Sequence, residues 1–261
     1  VNLQGNVFAM SLRTVINPKF EALRTRIEAL PERFGEGQLI YAGRNEIREF
    51  NWNGNTVAVK RFAKLGIIKR IIYTYFRPNK ALRSYSNGME IIHRGVSTPE
   101  PIAYVETKSH RLIKDLYYVS RVTTAKDIKS ELIDKEPYNR QLLEAYAKFV
   151  ASLHERGILH RDLNPTNVLY TQDGKGGCRF TLIDVNRMTF FDGPVPKADC
   201  MENLTLFWWL TPVYRAVLKV YARERGWTQA DIDEAIHVKE VHDRRWVRRK
   251  KFTAHFKRKK H

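Results

Sequence analysis

His160-Arg161-Asp162-Leu163-Asn164-Pro165-Thr166-Asn167-Val168-Leu169 is the stretch on which the fold reading turns. Asp162 and Asn167 stand five residues apart in a polar run that closes on two apolar residues. A carboxylate so placed can orient a hydroxyl and take its proton, and an amide oxygen can serve a hard cation. The bland alternative is a polar turn between a helix and a strand. The flanks decide between them. Upstream, 138–156 carries Leu142, Leu143, Tyr146, Phe149, Val150 and Leu153 at helical spacing, and Gly157 stops it. Downstream, 168–171 and 178–183 read as a hairpin across Asp173-Gly174-Lys175-Gly176-Gly177, which delivers Asp184 at a strand end.

With those flanks, the octet from His160 resembles the H-R-D-L-x-x-x-N catalytic loop of protein-kinase-like phosphotransferases. That resemblance makes Asp162 the base, Asn167 a metal ligand, and Asp184 the second ligand, at the position of the D-F-G aspartate. The tripeptide here is Asp184-Val185-Asn186. Val185 is smaller than Phe, which predicts that no aromatic flip switches the site off. No A-P-E follows, and the stretch to Pro196 is too short for a long regulated loop, which argues against a peptide-docking platform. His154 and His160 read as scaffold, because phosphoryl transfer needs no imidazole.

The 261 residues suffice for a two-lobed unit with a substantial core. Cys178 and Cys200 have no paired spacing and suggest neither a disulfide framework nor a zinc site. No run approaches the roughly 20 apolar residues that span a bilayer. The N-terminus lacks a basic region followed by an apolar core, so no secretory signal is expected. Residues 1–9, ahead of Met10, read as an added leader outside the fold. The formal net charge is +18, and residues 239–261 hold eleven Lys or Arg against Glu240 and Asp243. Such a field attracts polyanions, or belongs to a solvated, partly disordered tail.

In the N-terminal half, 17–30 reads as a short amphipathic helix through Phe20, Leu23, Ile27 and Leu30. Strands are expected at 38–42, 46–52, 56–62, 102–106 and 116–122, with a hairpin turn at Asn53-Gly54. Val57-Ala58-Val59-Lys60 resembles the V-A-I-K of the third kinase strand, which makes Lys60 the candidate for the nucleotide phosphates. Gly43-Arg44 lies where a protein kinase has its Gly-rich loop, but with a single glycine. The basic, aromatic-rich insert 64–77 is too irregular to place. A helix is expected at 79–94, and its Glu90 is the candidate partner of Lys60. The segment from Thr123 would be the hinge that meets adenine. Leu204 to Leu210 reads as an apolar, helical core segment, with a membrane-facing patch as the alternative, and 212–225 and 229–238 as closing helices.

Beyond the general pattern, the chain resembles the bacterial lipopolysaccharide core kinases, which phosphorylate Kdo or heptose. The likeness rests on Lys80-Ala81-Leu82-Arg83-Ser84-Tyr85, on Gly95-Val96-Ser97-Thr98-Pro99-Glu100-Pro101-Ile102-Ala103, on Asp162 to Asn167 and on Gly43-Arg44-Asn45. It implies an α+β, protein-kinase-like two-lobed fold, with a five-stranded antiparallel N-lobe sheet (10–122) and a mostly helical C-lobe with a basic tail (123–261). It also implies ATP and Mg2+ as cofactors, with Asp162, Lys60 and Glu90 catalytic. Gly43, Arg44, Lys60, Thr123, Asn167 and Asp184 hold nucleotide, with Asn167 and Asp184 on the metal. The implied partner is lipopolysaccharide core and lipid A glycolipid, met by a cytoplasmic enzyme peripheral on the anionic inner face of the inner membrane. Asn164 stands where many kinases have Lys, which leaves open what steadies the leaving phosphoryl group. Two rivals remain: a protein or small-molecule kinase, and a catalytically dead basic module on anionic lipid or nucleic acid. The intact Lys60, Asp162, Asn167 and Asp184 argue against the second. The chain has no aromatic-interleaved basic motif of the single-strand-binding kind.

Overall fold

Period-two alternation builds the first half of the chain. In β4 (Asn55–Arg61), Val57 and Val59 are buried while Ala58 and Lys60 are half-exposed on the other face. The computed structural model describes residues 11–172 and 177–258, with side chains as far as Phe252. Residues 1–9 and most of the expected turn 173–177 lie outside the described residues. The chain divides into two compact units after Thr124.

The first unit is a six-stranded antiparallel sheet in the order β1-β5-β6-β4-β3-β2. Its strands are β1 (Ser11–Ile16), β2 (Gln38–Ala42), β3 (Glu46–Trp52), β4, β5 (Pro101–Ser109) and β6 (Leu112–Arg121). Five of these match the expected strands. The sixth, β1, corrects the count: it adds to β5 from Ser11 opposite Lys108 to Ile16 opposite Ala103. Asn53 and Gly54 both take positive φ, 52° and 76°, in the β3–β4 hairpin.

The sheet is covered on both faces. On one, the predicted 17–30 helix breaks into a 3-10 turn (Pro18–Leu23), α1 (Arg24–Glu28) and α2 (Leu30–Arg33). Phe20 falls at a kink in the 3-10 turn and Pro31 opens α2 rather than stopping a helix. Phe20, Leu23, Ile27 and Leu30 nevertheless form one core with Val57, Val59, Val105 and Val119. Against the other face lie α3 (Ile67–Tyr75) and α4 (Lys80–His93), around Phe62, Tyr104 and Leu116. The insert left unplaced by its sequence is therefore largely helix. α4 begins where Asn79 Oδ1 accepts from Leu82 N at 2.9 Å, while Asn79 Nδ2 donates to the buried Glu106 at 2.6 Å.

The second unit is mostly helical. In chain order it holds β7 (Lys126–Asp127), α5 (Lys129–Leu132), α6 (Arg140–Glu155), β8 (Ile158–His160), β9 (Val168–Gln172), β10 (Cys178–Leu182) and β11 (Met188–Phe190). α7 (Lys197–Leu204), α8 (Pro212–Glu224) and α9 (Gln229–Arg258) complete it. α6 is capped by Asn139 and buries the predicted stripe; of that stripe only Phe149 stays half-buried, stacked on Phe180 at 4.8 Å. One expectation is corrected here, and one alternative left open by the sequence is decided. The apolar run 204–210 is not a helix: Leu204 ends α7, Phe207 is buried against Tyr146, and Trp209 is exposed. The basic tail is helical to Arg258, and its first cation, Lys239, is buried, with Nζ on Asp243 Oδ1 at 2.7 Å and Thr205 O at 3.0 Å.

Candidate active site

The 160–167 loop is fixed by its own side chains. Asp162 N donates to His160 Nδ1 at 3.1 Å, so the proton of that ring is on Nε2, which donates to Ile183 O at 3.0 Å. His160 is thus a neutral, satisfied scaffold residue, and burial lowers its pKa from the usual histidine range. The sequence reading of both histidines as structural holds. His154 Nε2 donates to Asn203 Oδ1 at 3.1 Å and its Nδ1 accepts from Tyr221 Oη at 2.7 Å, while burial pushes its pKa down to about 4. Asn203 Nδ2 then donates to His160 O at 2.8 Å. One buried chain of hydrogen bonds, Tyr221–His154–Asn203–His160, therefore ties α8, α6 and α7 to the strand that opens the loop.

Asp162 is held at both ends. Its carbonyl accepts from Asn167 Nδ2 at 2.9 Å and from Asn164 N at 2.8 Å, and its Oδ1 accepts from Asn164 Nδ2 at 3.1 Å. Asn164 Oδ1 accepts from Thr166 N at 3.0 Å and caps the 3-10 turn Pro165–Asn167. Asn164, whose role the sequence left open, thus aims the Asp162 carboxylate. Because Asn167 Nδ2 is committed to Asp162, the orientation of that amide is set and its oxygen is the atom it offers a ligand.

Asp184 lies in the same neighbourhood, since Ile183 N donates to Asn167 O at 3.0 Å. Its φ is +53°, in the left-handed region that a non-glycine residue occupies at a cost of about 1 kcal/mol or more. Asn186 Nδ2 donates to Asp184 Oδ1 at 2.6 Å and orients it, a role the sequence reading missed although D-x-N is a local turn pattern. Val185 is buried.

The other predicted residues are in the first unit. Lys60 stands on β4, opposite Ile47 of β3 and Tyr118 of β6, with Nζ 5.3 Å from the Phe62 ring centre. It shares its sheet face with the side that α4 covers. Glu90 is on α4, and its carboxylate accepts from Arg94 Nε at 2.6 Å. Gly43 and Arg44 are exposed at the β2–β3 turn. The atoms nearest a Cβ at Gly43 belong to the hydroxyl and ring of Tyr41, an exposed side chain that can swing away. Thr123 is exposed just after β6.

Beside the loop, the second unit has a groove of about 430 Å³ that borders Asn164. Trp208, Trp209 and Trp246 line it with Lys250 and His242. Trp209 and Trp246 meet edge to face at 4.6 Å, and Lys250 Nζ lies 3.9 Å from the Trp246 ring centre. Sequence reasoning missed this groove, because its walls come from two segments some forty residues apart.

Residues 31–239 match the lipopolysaccharide kinase (Kdo/WaaP) family. A 3-deoxy-D-manno-octulosonic acid kinase from Vibrio vulnificus is 26% identical over 124 residues, 44% of this chain and 50% of that protein. The corresponding kinase of Vibrio parahaemolyticus is 21% identical over 45% of this chain and 51% of that protein, so the chain spans about half the length of these curated relatives. Cyclin-dependent kinase 8 of Drosophila melanogaster is 29% identical over 100 residues, 38% of this chain and 22% of its own. A solved structure of WaaP in complex with acyl carrier protein superposes with a TM-score of 0.62 at 19% identity, over 89% of this chain and 98% of that one, which shows a shared kinase-like fold. The chain belongs to the lipopolysaccharide kinase (Kdo/WaaP) family.

Proposed function

We propose that this chain transfers the γ-phosphoryl group of ATP to a hydroxyl of Kdo or heptose in the lipopolysaccharide inner core. The observation that carries the reading is the Asp162 carboxylate, fixed by Asn164 within a loop that His160, Asn167 and Asn203 hold rigid. Phosphoryl transfer asks the protein mainly for positioning and charge stabilisation. Asp162 orients the acceptor hydroxyl and takes its proton as the new O–P bond forms. The bond from the γ-phosphorus to the bridging oxygen breaks, and ADP leaves with the electron pair. Lys60 is assigned to the α- and β-phosphates with Glu90 as its partner, the Gly43–Arg44 turn to the phosphates, and the backbone at Thr123 to adenine.

Asn167 and Asp184 fit Mg2+, since both offer the hard oxygen that ion prefers and it commonly takes only one or two protein ligands beside phosphate. When bound, the ion neutralises charge on the phosphate oxygens. The Trp-walled groove beside Asn164 is assigned to the acceptor: flat aromatic rings suit sugar faces, and Lys250 suits the anionic groups of core and lipid A. The net charge of +18 is of the sign such an acceptor requires, and fits a peripheral position on an anionic inner membrane.

The test is to incubate the protein with Mg-ATP and a panel of Kdo- and heptose-bearing lipid A acceptors and to weigh the products. The expected result is a gain of one phosphate, lost in Asp162→Asn. No phosphate gain on any core acceptor, with phosphorylation of peptides instead, would overturn the reading.

A further inference from the structure

α3 is built inside out. Its hydrogen-bonding side chains face the protein. Arg70 Nε donates to Ile113 O at 2.6 Å, and its Nη2 reaches Ser109 O and Leu112 O. Thr74 Oγ1 accepts from Ile113 N at 3.1 Å and donates to Arg70 O at 2.7 Å. Tyr73 packs with the core around Phe62 and Tyr104. The apolar side chains face outward: Ile67 is 57% exposed, Ile68 70%, Ile71 40%, Ile72 37%, Tyr75 61% and Phe76 76%. At about 100° per residue, the five that lie within the helix fill a single arc. No residue of α3 is buried.

A surface helix normally turns its apolar stripe inward, and a contiguous exposed apolar patch marks a surface that something covers. Charge says what kind. From Lys64 to Lys80 the chain has five Lys or Arg and no acid. Lys64, Lys69 and Arg77 are exposed around the apolar arc. The partner is therefore apolar and negative. A second copy of the same face would set like charges together. A convex helix suits a fluid surface, and aromatic rings at one end suit the headgroup level.

We propose that α3 docks the protein on an anionic lipid bilayer. Its isoleucine arc enters the headgroup–acyl boundary, Tyr75 and Phe76 sit at the interface, and Lys64, Lys69 and Arg77 meet lipid phosphates. Among the described residues no helix is long and apolar enough to cross a membrane, so contact of this kind is made along the surface. The inference rests on the lipopolysaccharide reading only for why such a contact matters.

The test uses the whole chain without ATP or acceptor, sedimented with phosphatidylglycerol–phosphatidylethanolamine vesicles and with phosphatidylcholine vesicles. Binding is expected on the anionic vesicles, and Ile68→Asp with Phe76→Asp should weaken it about tenfold or more. Both side chains are exposed, so the circular dichroism and melting midpoint of this double variant should match the parent. A tryptophan placed by Ile71→Trp should shift its emission to the blue on anionic vesicles. Unchanged binding by the double variant, or an unshifted Ile71→Trp, overturns the proposal. So does binding that depends only on Arg248, Arg249, Lys250 and Lys251 of α9. Self-association, or capture of an acidic protein, that the double variant abolishes while vesicles go unbound would assign α3 to that partner instead. Product mass on a water-soluble core acceptor, read on the same preparations, separates the two readings. Product without vesicle binding sinks the docking helix alone, and vesicle binding without product sinks the kinase alone.

Discussion

Asp162 depends on its neighbours more than on its own burial. Asp162→Asn keeps the hydrogen bonds of the loop and removes the proposed base, so kcat is expected to fall by about 10²–10⁴ with the fold intact, as steady-state kinetics and a thermal melt would show. Asn164→Ala frees the carboxylate from its 3.1 Å bond and uncaps the 3-10 turn. About a tenfold loss of kcat is expected, with KM for ATP unchanged, because aim rather than nucleotide binding is lost. Asn164→Asp should be worse than Asn164→Ala, since a second carboxylate at that distance repels the first. Parent-level activity in both Asn164 variants would refute the role given to Asn164. The H-R-D-L-x-x-x-N spacing made Asp162 and Asn167 legible in the sequence. It could not show that an asparagine in the place of lysine aims the aspartate, because that depends on a side-chain rotamer.

α4 shows how an element is placed. Gly88 faces the sheet, and a Cβ there would come 2.6 Å from Pro101 Cγ, a ring that β5 holds in place. Gly88→Ala gains roughly 1 kcal/mol of helix propensity but forces α4 away from β5, for a net loss of about 1–2 kcal/mol in urea unfolding. A gain in stability would show that α4 is not seated so closely. Asn79→Ala removes the cap and strips the buried Glu106 of one donor, with an expected cost of about 2 kcal/mol. The helix itself was expected at 79–94 and is found at Lys80–His93. α3 was not, because Lys69 and Arg70 interrupt its apolar residues and blur the period. Its polar side, with Arg70 and Thr74, is the one turned to the protein, which reverses the usual signal. In the groove, Trp209→Ala should raise the acceptor KM and leave the KM for ATP unchanged.

At the scale of the whole molecule, acid is the weak point. An unfolded histidine binds its proton near pH 6.5, whereas folded His154 does so only near pH 4. The unfolded chain therefore holds more protons below pH 6.5, and stability falls with acidification. The contribution of His154 is complete above pH 6.5 and is lost between there and about pH 4, for about 3 kcal/mol. His160 acts in the same direction. Asp231, held down to about 2 by Lys197 and by Thr228, adds a loss that begins only below pH 3.8. Urea midpoints at pH 7, 5.5 and 4.5 should fall steadily, and a flat profile would refute the neutral hydrogen-bonded chain through His154.

What the sequence by itself determined is what short-range chemistry writes: the loop from His160, the hairpin at Asn53-Gly54, the helices α4 and α6, and five of the six strands in the sheet of the first unit. A turn, a cap or an alternation is settled within a few residues, so a single segment carries its own signal. The tertiary structure decided the rest. β1 has its place only because Ser11–Ile16 finds an open edge of β5 some ninety residues away. Trp209 and Trp246 become one wall only once α9 packs beside the turn after α7. Closing such loops costs chain entropy that only packing repays, and no local pattern records which distant surface will be there to repay it.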